Sequence, residues 1–307
     1  MSIKPRNELD IYFKDFVSLL KNTNKSKNTI SSYENTINSF IQYISDNYDD
    51  FSIRNLKKSV LLGFIDYKNE NLQKQGEISP FTKKLLFIHL KTFFKHIESE
   101  NSDELFDFSK AFDFTINTPK RVPKGLDDKE RELLIKYVNN LIINSNNIID
   151  YRNSLIIKLF LFCGLRKQEM INLKVTDLLD EDDETYSIYL IGKGNKEREV
   201  FIKKSLIDLE LSELIEKGYV YICQTSSGNL MDGSQVYRMI KSIYAKLGIK
   251  ASVHDLRHTF AKSLSYKNID ITVIKELLGH SSIQTTAIYT NPSRKRIKSA
   301  IKEVLSE

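Results

Sequence analysis

A segment without apolar periodicity divides this chain of 307 residues into two parts. Residues 115–125, with the sequence TINTPKRVPKG, contain two prolines, one glycine and several basic side chains. Prolines and glycines interrupt helices and strands, so this composition is typical of a connection between structured regions. A chain of this length also exceeds what one ordinary hydrophobic core holds. We therefore expect two domains, residues 1–114 and 127–307, joined by a linker over residues 115–126.

Apolar residues in the first part recur at the spacing of amphipathic helices. The pattern predicts a first helix around residues 9–20, a second capped by Thr29, a third over 57–71 and a fourth opened by Ser79 and Pro80. The fourth helix is expected to bury an apolar set between residues 85 and 97. It also carries four lysines, which either form a solvated face or contact phosphates: Lys83, Lys84, Lys91 and Lys95.

Helical patterns also dominate the second part, with one interruption. Residues 186–191 and 198–202 are short strand-like runs that flank Gly192, Lys193, Gly194 and the residues up to Glu197. Such a pattern predicts a β-hairpin with a basic turn. The expected fold class is mainly α, with a helical N-terminal domain and a C-terminal mixed α/β domain that is mostly helical around a small sheet.

Composition and cysteine content limit the setting of the protein. Apolar residues make up 41% and charged residues 28% of the chain, as in globular proteins. No apolar run approaches the length of a membrane span, and the first residues lack the apolar core of a signal peptide. The chain has two cysteines, Cys163 and Cys223, each expected to be free and buried. We expect a cytoplasmic protein with no membrane partner.

Charge is distributed in two basic regions. Residues 1–97 hold 15 basic and 10 acidic side chains, a net +5, and residues 119–307 hold 30 and 24, a net +6. Six acidic residues lie between Glu98 and Asp113. Two basic regions separated by an acidic one suit a protein that holds a polyanion between two domains.

Four segments of the second part, and one tyrosine after them, carry chemically useful residues. Gly164 follows an apolar helix over residues 155–162, so Arg166 is expected at a turn beside a cleft. Lys193 lies at the hairpin tip. His254 and Arg257 are three residues apart, which puts them on one face of a helix. His280 then lies nine residues before Tyr289.

Taken singly, each of these residues has an ordinary structural explanation, but together they suit phosphodiester transesterification without a metal. A tyrosine hydroxyl forms a stable phosphoester, and two guanidinium groups stabilise the negative charge of the transition state. A histidine adds a further donor, and a lysine protonates the leaving oxygen. No carboxylate or cysteine set completes a metal site beside the histidines, and the phosphate-loop motif of nucleotide-binding proteins is absent from the sequence.

The order of these residues resembles the catalytic set of the tyrosine recombinases, the family of Xer proteins and many phage and transposon integrases. The matching segments are GLRKQE, GKGNKER, HDLRHTFA, LLGHSS and YT. The helices of the first part, TISSYENTINSFIQYI and SPFTKKLLFIHLKTFFKHI, are similar to those of the family's core-binding domain, which has a SAM-like helical fold. The linker sequence TPKRVPKGLDDKE also resembles that of the family. The resemblance thus covers the whole chain.

The resemblance implies a role for each matching residue. Arg166, Arg257 and His280 would bind the scissile phosphate, and His254 would contact the phosphate or position the tyrosine. Lys193, favoured over Lys196, would be the general acid. Tyr289 would attack to give a 3′-phosphotyrosyl bond and a free 5′-hydroxyl. Glu169 would orient Arg166 and Asp255 would support the site, although both residues are equally open to a structural role. We expect DNA contacts from the lysines of the fourth helix and from Lys120 and Arg121. No metal and no cofactor are implied.

The last residues form a pattern of their own. Apolar residues at 297, 300, 301, 304 and 305 predict an amphipathic helix over about 293–307. It packs against its own domain or, as the family resemblance implies, against a neighbouring protomer. The second alternative gives a homotetramer that holds two copies of a specific double-stranded DNA target.

The resemblance leaves the biological role open. Resolution of chromosome dimers by an Xer-like enzyme at the nucleoid fits best, with a DNA translocase or accessory protein as a possible activator. The alternatives are an integrase or transposase of a mobile element, an invertase, a type IB topoisomerase, and a DNA-binding protein without catalysis.

Overall fold

The computed structural model describes residues 5–70, 77–100, 106–119, 124–143, 145–192, 197–267, 269–279 and 286. The chain forms two compact units, Met1–Arg121 and Val122–Glu307. The boundary between the two units lies within the segment predicted as a linker. We refer to them as the first and the second unit.

The first unit contains four described α-helices around an aromatic core. The helices are α1 (Pro5–Asn22), α2 (Lys27–Asn47), α3 (Lys58–Glu70) and α4 (Pro80–Ser99), with a short 3₁₀ helix at Ile53–Asn55. Phe16, Phe40, Phe93 and Phe94 are buried where these helices meet, and their rings touch at tilted or edge-on angles. Such edge-on contacts add to the stabilisation that burial of the rings provides.

The predicted cap of α4 is confirmed, whereas the predicted cap of α2 is wrong. Ser79 caps α4 by accepting a hydrogen bond from the Thr82 N–H, and Pro80 is the first helical residue. Helix α2 begins earlier than predicted, because Ser26 rather than Thr29 is its cap. The expected burial of the apolar set of α4 is also partly wrong. Leu85 and Ile88 are 47% and 44% exposed, since they share the outer face of the helix with its lysines.

Helix α6 (Ile148–Cys163) is the centre of the second unit. Its residues 154–161 are all buried, because other elements pack around most of its circumference. The remaining helices are α5 (Asp128–Ile143), α7 (Lys167–Asn172), α8 (Asp208–Glu216), α9 (Gly233–Leu247), α10 (Val253–Tyr266) and α11 (Ile271–Leu278). Both cysteines of the chain lie in this unit as free thiols, and burial raises their pKa to about 12.

A small antiparallel sheet completes the second unit. Its strands are β1 (Leu178–Asp180), β2 (Thr185–Ile191) and β3 (Glu197–Lys203), in the order β1-β2-β3. The predicted hairpin is thereby confirmed, with each strand slightly longer than expected, and β1 is added to it. Residues of β3 alternate between the two faces of the sheet, so that Arg198, Val200 and Ile202 are buried. The predicted fold class, mainly helical with a small sheet, is confirmed.

None of the described helices is both long enough and apolar enough to cross a membrane.

Candidate active site

The turn after α6 places Arg166. Gly164 ends this helix with a φ of +62°, in the left-handed region that side chains with a Cβ rarely adopt. A Cβ at this position would lie 2.3 Å from Cδ1 of Phe260. Glycine thus satisfies both the backbone and the packing, and the chain turns to make Arg166 the cap of α7.

Glu169 fixes both the backbone and the side chain of Arg166. The Arg166 backbone N–H donates to Oε2 of Glu169 at 2.6 Å, and its Nη1 donates to Oε1 at 2.8 Å. The Arg166 side chain remains 30% exposed, whereas that of Glu169 is 6% exposed. The carboxylate therefore holds the guanidinium from the protein side and leaves part of it open to a ligand.

A second arginine, Arg198 of β3, binds the same carboxylate. Its Nη1 and Nη2 donate to the two Glu169 oxygens at 2.7 and 2.6 Å, and its side chain is only 2% exposed. Burial opposes ionisation of Glu169, but the hydrogen bonds from Arg198 and Arg166 outweigh it and lower the pKa of this carboxyl to about 2. Glu169 is thus ionised at every physiological pH. Arg198 is absent from the predicted set of site residues.

Arg257 reaches the same region from α10. Its Nη1 donates to the carbonyl of Gly164 at 2.6 Å, and its Nη2 donates to the carbonyl of Leu278. The side chain is buried within the second unit. The turn at Gly164 thus serves both arginines, since it presents Arg166 and supplies an acceptor for Arg257.

The other residues predicted on α10 lie at its first turn. His254 is exposed, one turn before the buried Arg257. Asp255 accepts hydrogen bonds from the backbone N–H and the hydroxyl of Ser252 at 2.7 and 2.8 Å. This is a reciprocal cap of the helix start, so the described contacts of Asp255 are structural.

Three arginines meet at the C-terminal end of α11. Arg198 Nε donates to the carbonyl of Leu277 at 2.9 Å, Arg257 donates to that of Leu278, and Arg166 Nη2 donates to that of Gly279 at 2.5 Å. The last carbonyls of a helix lack partners within the helix and carry partial negative charge. Three consecutive carbonyls therefore gather three guanidiniums from separate segments at one point. We refer to this arrangement, together with Glu169, as the arginine cluster.

Part of the predicted site lies outside the described residues. This holds for Lys193 and Lys196 at the hairpin tip, for His280 and Tyr289, for Lys120 and Arg121, and for the C-terminal segment 293–307. In sequence, His280 directly follows Gly279, the last residue of the cluster, and Lys193 lies five residues before Arg198. A cleft of about 650 Å³ lies beside Arg166, lined by residues of α7, by the end of β2 and by Gly192.

The lysines of α4 belong to the first unit. Lys84, Lys91 and Lys95 are exposed, whereas Lys83 is half-buried with its Nζ 3.9 Å from Glu77. Lys91 and Lys95 line a cleft of about 660 Å³ that also holds acidic side chains, Glu98, Asp107 and Asp113. The nearby carboxylates lower the positive potential at this end of the helix.

One group of possible metal ligands occurs within the described part of the chain. Oδ2 of Asp15 lies 3.2 Å from Nε2 of His96, and Oε1 of Glu100 lies 3.9 Å from Nδ1 of the same ring. The two carboxylates face different ring nitrogens, an arrangement that suits hydrogen bonding to the imidazole better than convergence on one ion. The group lies in the first unit, whereas the arginine cluster lies in the second.

Comparison with known proteins identifies the class of this site. The sequence profile of the phage integrase family matches residues 124–296, more than half of the chain. Tyrosine recombinase XerH of Campylobacter jejuni is 28% identical over 315 aligned residues, which cover 97% of this chain and 83% of the relative. Tyrosine recombinase XerA of Pyrococcus horikoshii is also 28% identical, with 98% and 96% covered.

Solved structures of recombinases and integrases are also similar to this chain in fold. A crystal structure of XerH bound to palindromic difH substrate, described as a post-cleavage complex, is similar with a TM-score of 0.73 and 26% identity, covering 92% of this chain and 82% of that one. A lambda integrase dimer bound to a core site shares the fold, with a TM-score of 0.68 and 15% identity, covering 94% and 78%. The chain belongs to the phage integrase family. Within it, the chain is an Xer-like tyrosine recombinase, an enzyme of site-specific DNA recombination.

Proposed function

We propose that the second unit cleaves and rejoins DNA through Tyr289. The tyrosine oxygen attacks the scissile phosphorus and releases its proton to solvent, while the bond from phosphorus to the 5′ oxygen breaks. Lys193 protonates the leaving 5′ oxygen. The product is a 3′-phosphotyrosyl bond and a free 5′-hydroxyl. A 5′-hydroxyl of another strand then attacks the phosphotyrosyl phosphorus, which rejoins the DNA and releases Tyr289. Because the new phosphodiester replaces the old one, the exchange needs no nucleotide hydrolysis.

The arginine cluster is the observation that carries this proposal. Arg166 and Arg257 are separated by 91 positions in sequence, yet they donate to adjacent carbonyls, those of Gly279 and Leu278. Among the described residues, the side chain of Arg166 bonds Glu169 and Gly279 only, which engages two of its five N–H donors. Its remaining donors and its exposed edge suit a non-bridging phosphate oxygen.

His280 and His254 complete the proposed phosphate-binding set. His280 follows Gly279 directly in sequence, so it continues the segment that the three arginines hold. His254 is exposed on the helix that carries Arg257, at the distance of one helical turn. We propose that both add hydrogen bonds to the phosphate, with His254 also positioning the nucleophile.

We propose a specific double-stranded DNA site as the substrate. The relative XerH has been solved with its difH substrate before and after cleavage. The chain has two basic regions in sequence, and α4 of the first unit presents exposed Lys84, Lys91 and Lys95. In this proposal residues 1–114 form the core-binding domain, residues 127–307 form the catalytic domain, and Lys83, Lys120 and Arg121 also contact phosphates.

The similarity to Xer recombinases supports a proposal for the biological role. We propose that four protomers act on two DNA sites in two sequential pairs, joined by exchange of the segment 293–307. Resolution of chromosome dimers at the nucleoid is the role that fits such an enzyme, with a translocase or accessory protein as activator.

Trapping of the covalent intermediate tests the chemistry. The wild-type protein and Tyr289→Phe are incubated without added metal with nicked duplexes drawn from the source genome, so that the cleaved end diffuses away. Tyr266→Phe is a matched control, because Tyr266 is a tyrosine of the same unit that is 70% exposed. We expect a protein–DNA adduct on denaturing gels with wild type and Tyr266→Phe, and none with Tyr289→Phe.

Each other outcome contradicts a defined part of the proposal. An adduct of equal yield with Tyr289→Phe would assign the nucleophile elsewhere. DNA binding by wild type without an adduct on any duplex would favour a DNA-binding protein without catalysis. Sequencing of the strand attached to the wild-type protein identifies the target site.

A further inference from the structure

We propose that Arg198 is a positioning residue of this enzyme, which acts through Glu169 on Arg166 and ties the β-hairpin to the end of α11. The inference rests on the proposed role of Arg166 in phosphate binding. Arg198 ends the matching segment GKGNKER, but the family resemblance as read from the sequence assigned it no role.

The contacts of Arg198 use all three nitrogens of its guanidinium. Nη1 and Nη2 bind the two oxygens of Glu169, and Nε binds the carbonyl of Leu277. With a side chain that is 2% exposed, Arg198 has no free edge toward a DNA phosphate. Its influence on the reaction therefore passes through the groups that it holds.

The fork of Arg198 fixes the plane of the Glu169 carboxylate. A bidentate pair restrains both the position and the rotation of a carboxylate, which a single hydrogen bond does not. Glu169 in turn holds the backbone N–H and Nη1 of Arg166. The orientation of the proposed phosphate-binding arginine thus depends on a chain of hydrogen bonds that begins at Arg198.

Arg198 also joins segments that would carry other catalytic groups. It is the first inward-facing residue of β3, five residues after Lys193 in sequence, and it binds a carbonyl three residues before His280. The fit at this point is close, because a Cβ on Gly279 would lie 3.1 Å from both Cδ and Nη1 of Arg198. One buried side chain therefore connects the hairpin, α7 and the end of α11.

Stability alone does not explain such an arrangement. Burying an ion pair costs desolvation energy, and apolar residues of similar volume often stabilise a protein equally well. An apolar residue at 198 would fill the space but would leave Glu169 held on one side only, by Arg166. The charged fork is needed where the direction of Arg166 matters, which is the proposed function of the site.

The test compares Arg198→Gln and Arg198→Lys with a matched buried arginine. Arg152 is 6% exposed in the same unit and bonds the Gln224 carbonyl and the Asn153 side chain, none of which belongs to the arginine cluster. For each full-length variant, Arg152→Gln included, we would measure the thermal midpoint, the affinity for the trapped DNA site, and the rate of adduct formation on the nicked duplex.

We expect a split between binding and cleavage. Arg198→Gln should slow adduct formation by about 100-fold, since small misplacements in an active site cost this much. Its DNA affinity should change by less than about threefold, because Arg198 contacts no phosphate. Arg198→Lys keeps the charge without the fork and should lose about tenfold in rate. Arg152→Gln should lose thermal stability but cleave within about threefold of wild type.

A second comparison asks whether Arg198 acts through Glu169. In a Glu169→Gln background, adding Arg198→Gln should slow adduct formation by no more than about threefold, because residues acting in series are not additive. Equal cleavage rates for Arg198→Gln and Arg152→Gln would overturn the inference. It would also be overturned if the rate loss of the double variant equalled the product of the losses of Glu169→Gln and Arg198→Gln. If Arg198→Gln fails to fold, the test rests on the rate of adduct formation by Arg198→Lys. A wild-type rate for that variant would overturn the inference. Absence of an adduct with wild type would instead overturn the proposed function itself.

Discussion

Replacement of Gly164 by alanine tests the turn on which the site is built. The left-handed conformation costs a residue with a Cβ about 1–2 kcal/mol. The new methyl group would also lie 2.3 Å from the ring of Phe260, and such overpacking costs about 1–3 kcal/mol. We therefore expect Gly164→Ala to lower the free energy of unfolding of the second unit by about 2–5 kcal/mol.

Gly248 provides a matched control in the same unit. It ends α9 with a φ of +69°, and a Cβ there would meet no atom within 4 Å. Gly248→Ala should therefore lose only the backbone contribution, about 1–2 kcal/mol. The difference between the two variants measures the collision with Phe260. In a Phe260→Leu background, which removes the ring, Gly164→Ala should cost less than in the wild type.

The two cysteines make the assay specific for the second unit. Both Cys163 and Cys223 are buried there as free thiols, and they are the only cysteines of the chain. Their labelling by a thiol reagent across a urea series therefore reports the unfolding of this unit alone. With a slope of about 3 kcal/mol per M, a loss of about 3 kcal/mol lowers the midpoint by about 1 M. Equal midpoints for Gly164→Ala and Gly248→Ala would refute the packing argument.

Two further predictions concern buried charges. The pKa of Glu169 falls from 4.5 to about 2 on folding, so the stability that it contributes, about 3 kcal/mol, is present above pH 5 and lost as pH falls toward 2. The difference in unfolding free energy between wild type and Glu169→Gln should shrink over that range; a constant difference would contradict it. Lys158 lies 2.5 Å from the buried Glu210, so Lys158→Met should cost about 3–5 kcal/mol by leaving this carboxylate with its hydrogen bond from Ser154 but without a counter-ion. The double variant Lys158→Met/Glu210→Leu should recover much of this loss in the same urea assay, and no recovery would show that the pair is not the cause.

Local rules were sufficient for the turn that presents Arg166. A glycine after an apolar helix predicts a left-handed cap, and Gly164 has this conformation in the structure. Ser79 and Pro80 likewise predicted the start of α4 from residues adjacent in sequence. These features depend on hydrogen bonds and backbone angles within one turn, and such local interactions can be inferred directly from the sequence.

Contacts between segments that are distant in sequence could not be inferred from such local patterns. Arg198 is 29 residues from Glu169 and 79 from Leu277, and an arginine in a short strand is ordinarily solvent-exposed. One indication was present in the sequence, because Arg198 shares its strand face with Val200 and Ile202. The alternation predicts that Arg198 points inward, although only the structure identifies its partner. Asp255 shows the opposite case, since a residue considered for a supporting role has a capping role in its described contacts.

The arginine cluster has a consequence for sequence variation in this enzyme. On the α11 side, its acceptors are backbone carbonyls of residues 277–279, which every amino acid provides. Exchange of Leu277 or Leu278 for other apolar residues thus leaves the hydrogen bonds of the arginines available, and packing alone limits the choice. Gly279 is restricted by its φ of +60° and by the nearby arginines. Side chains of α11 can therefore be exchanged while the site stays intact. A change at any of the three arginines, by contrast, removes hydrogen-bond donors that the helix cannot replace.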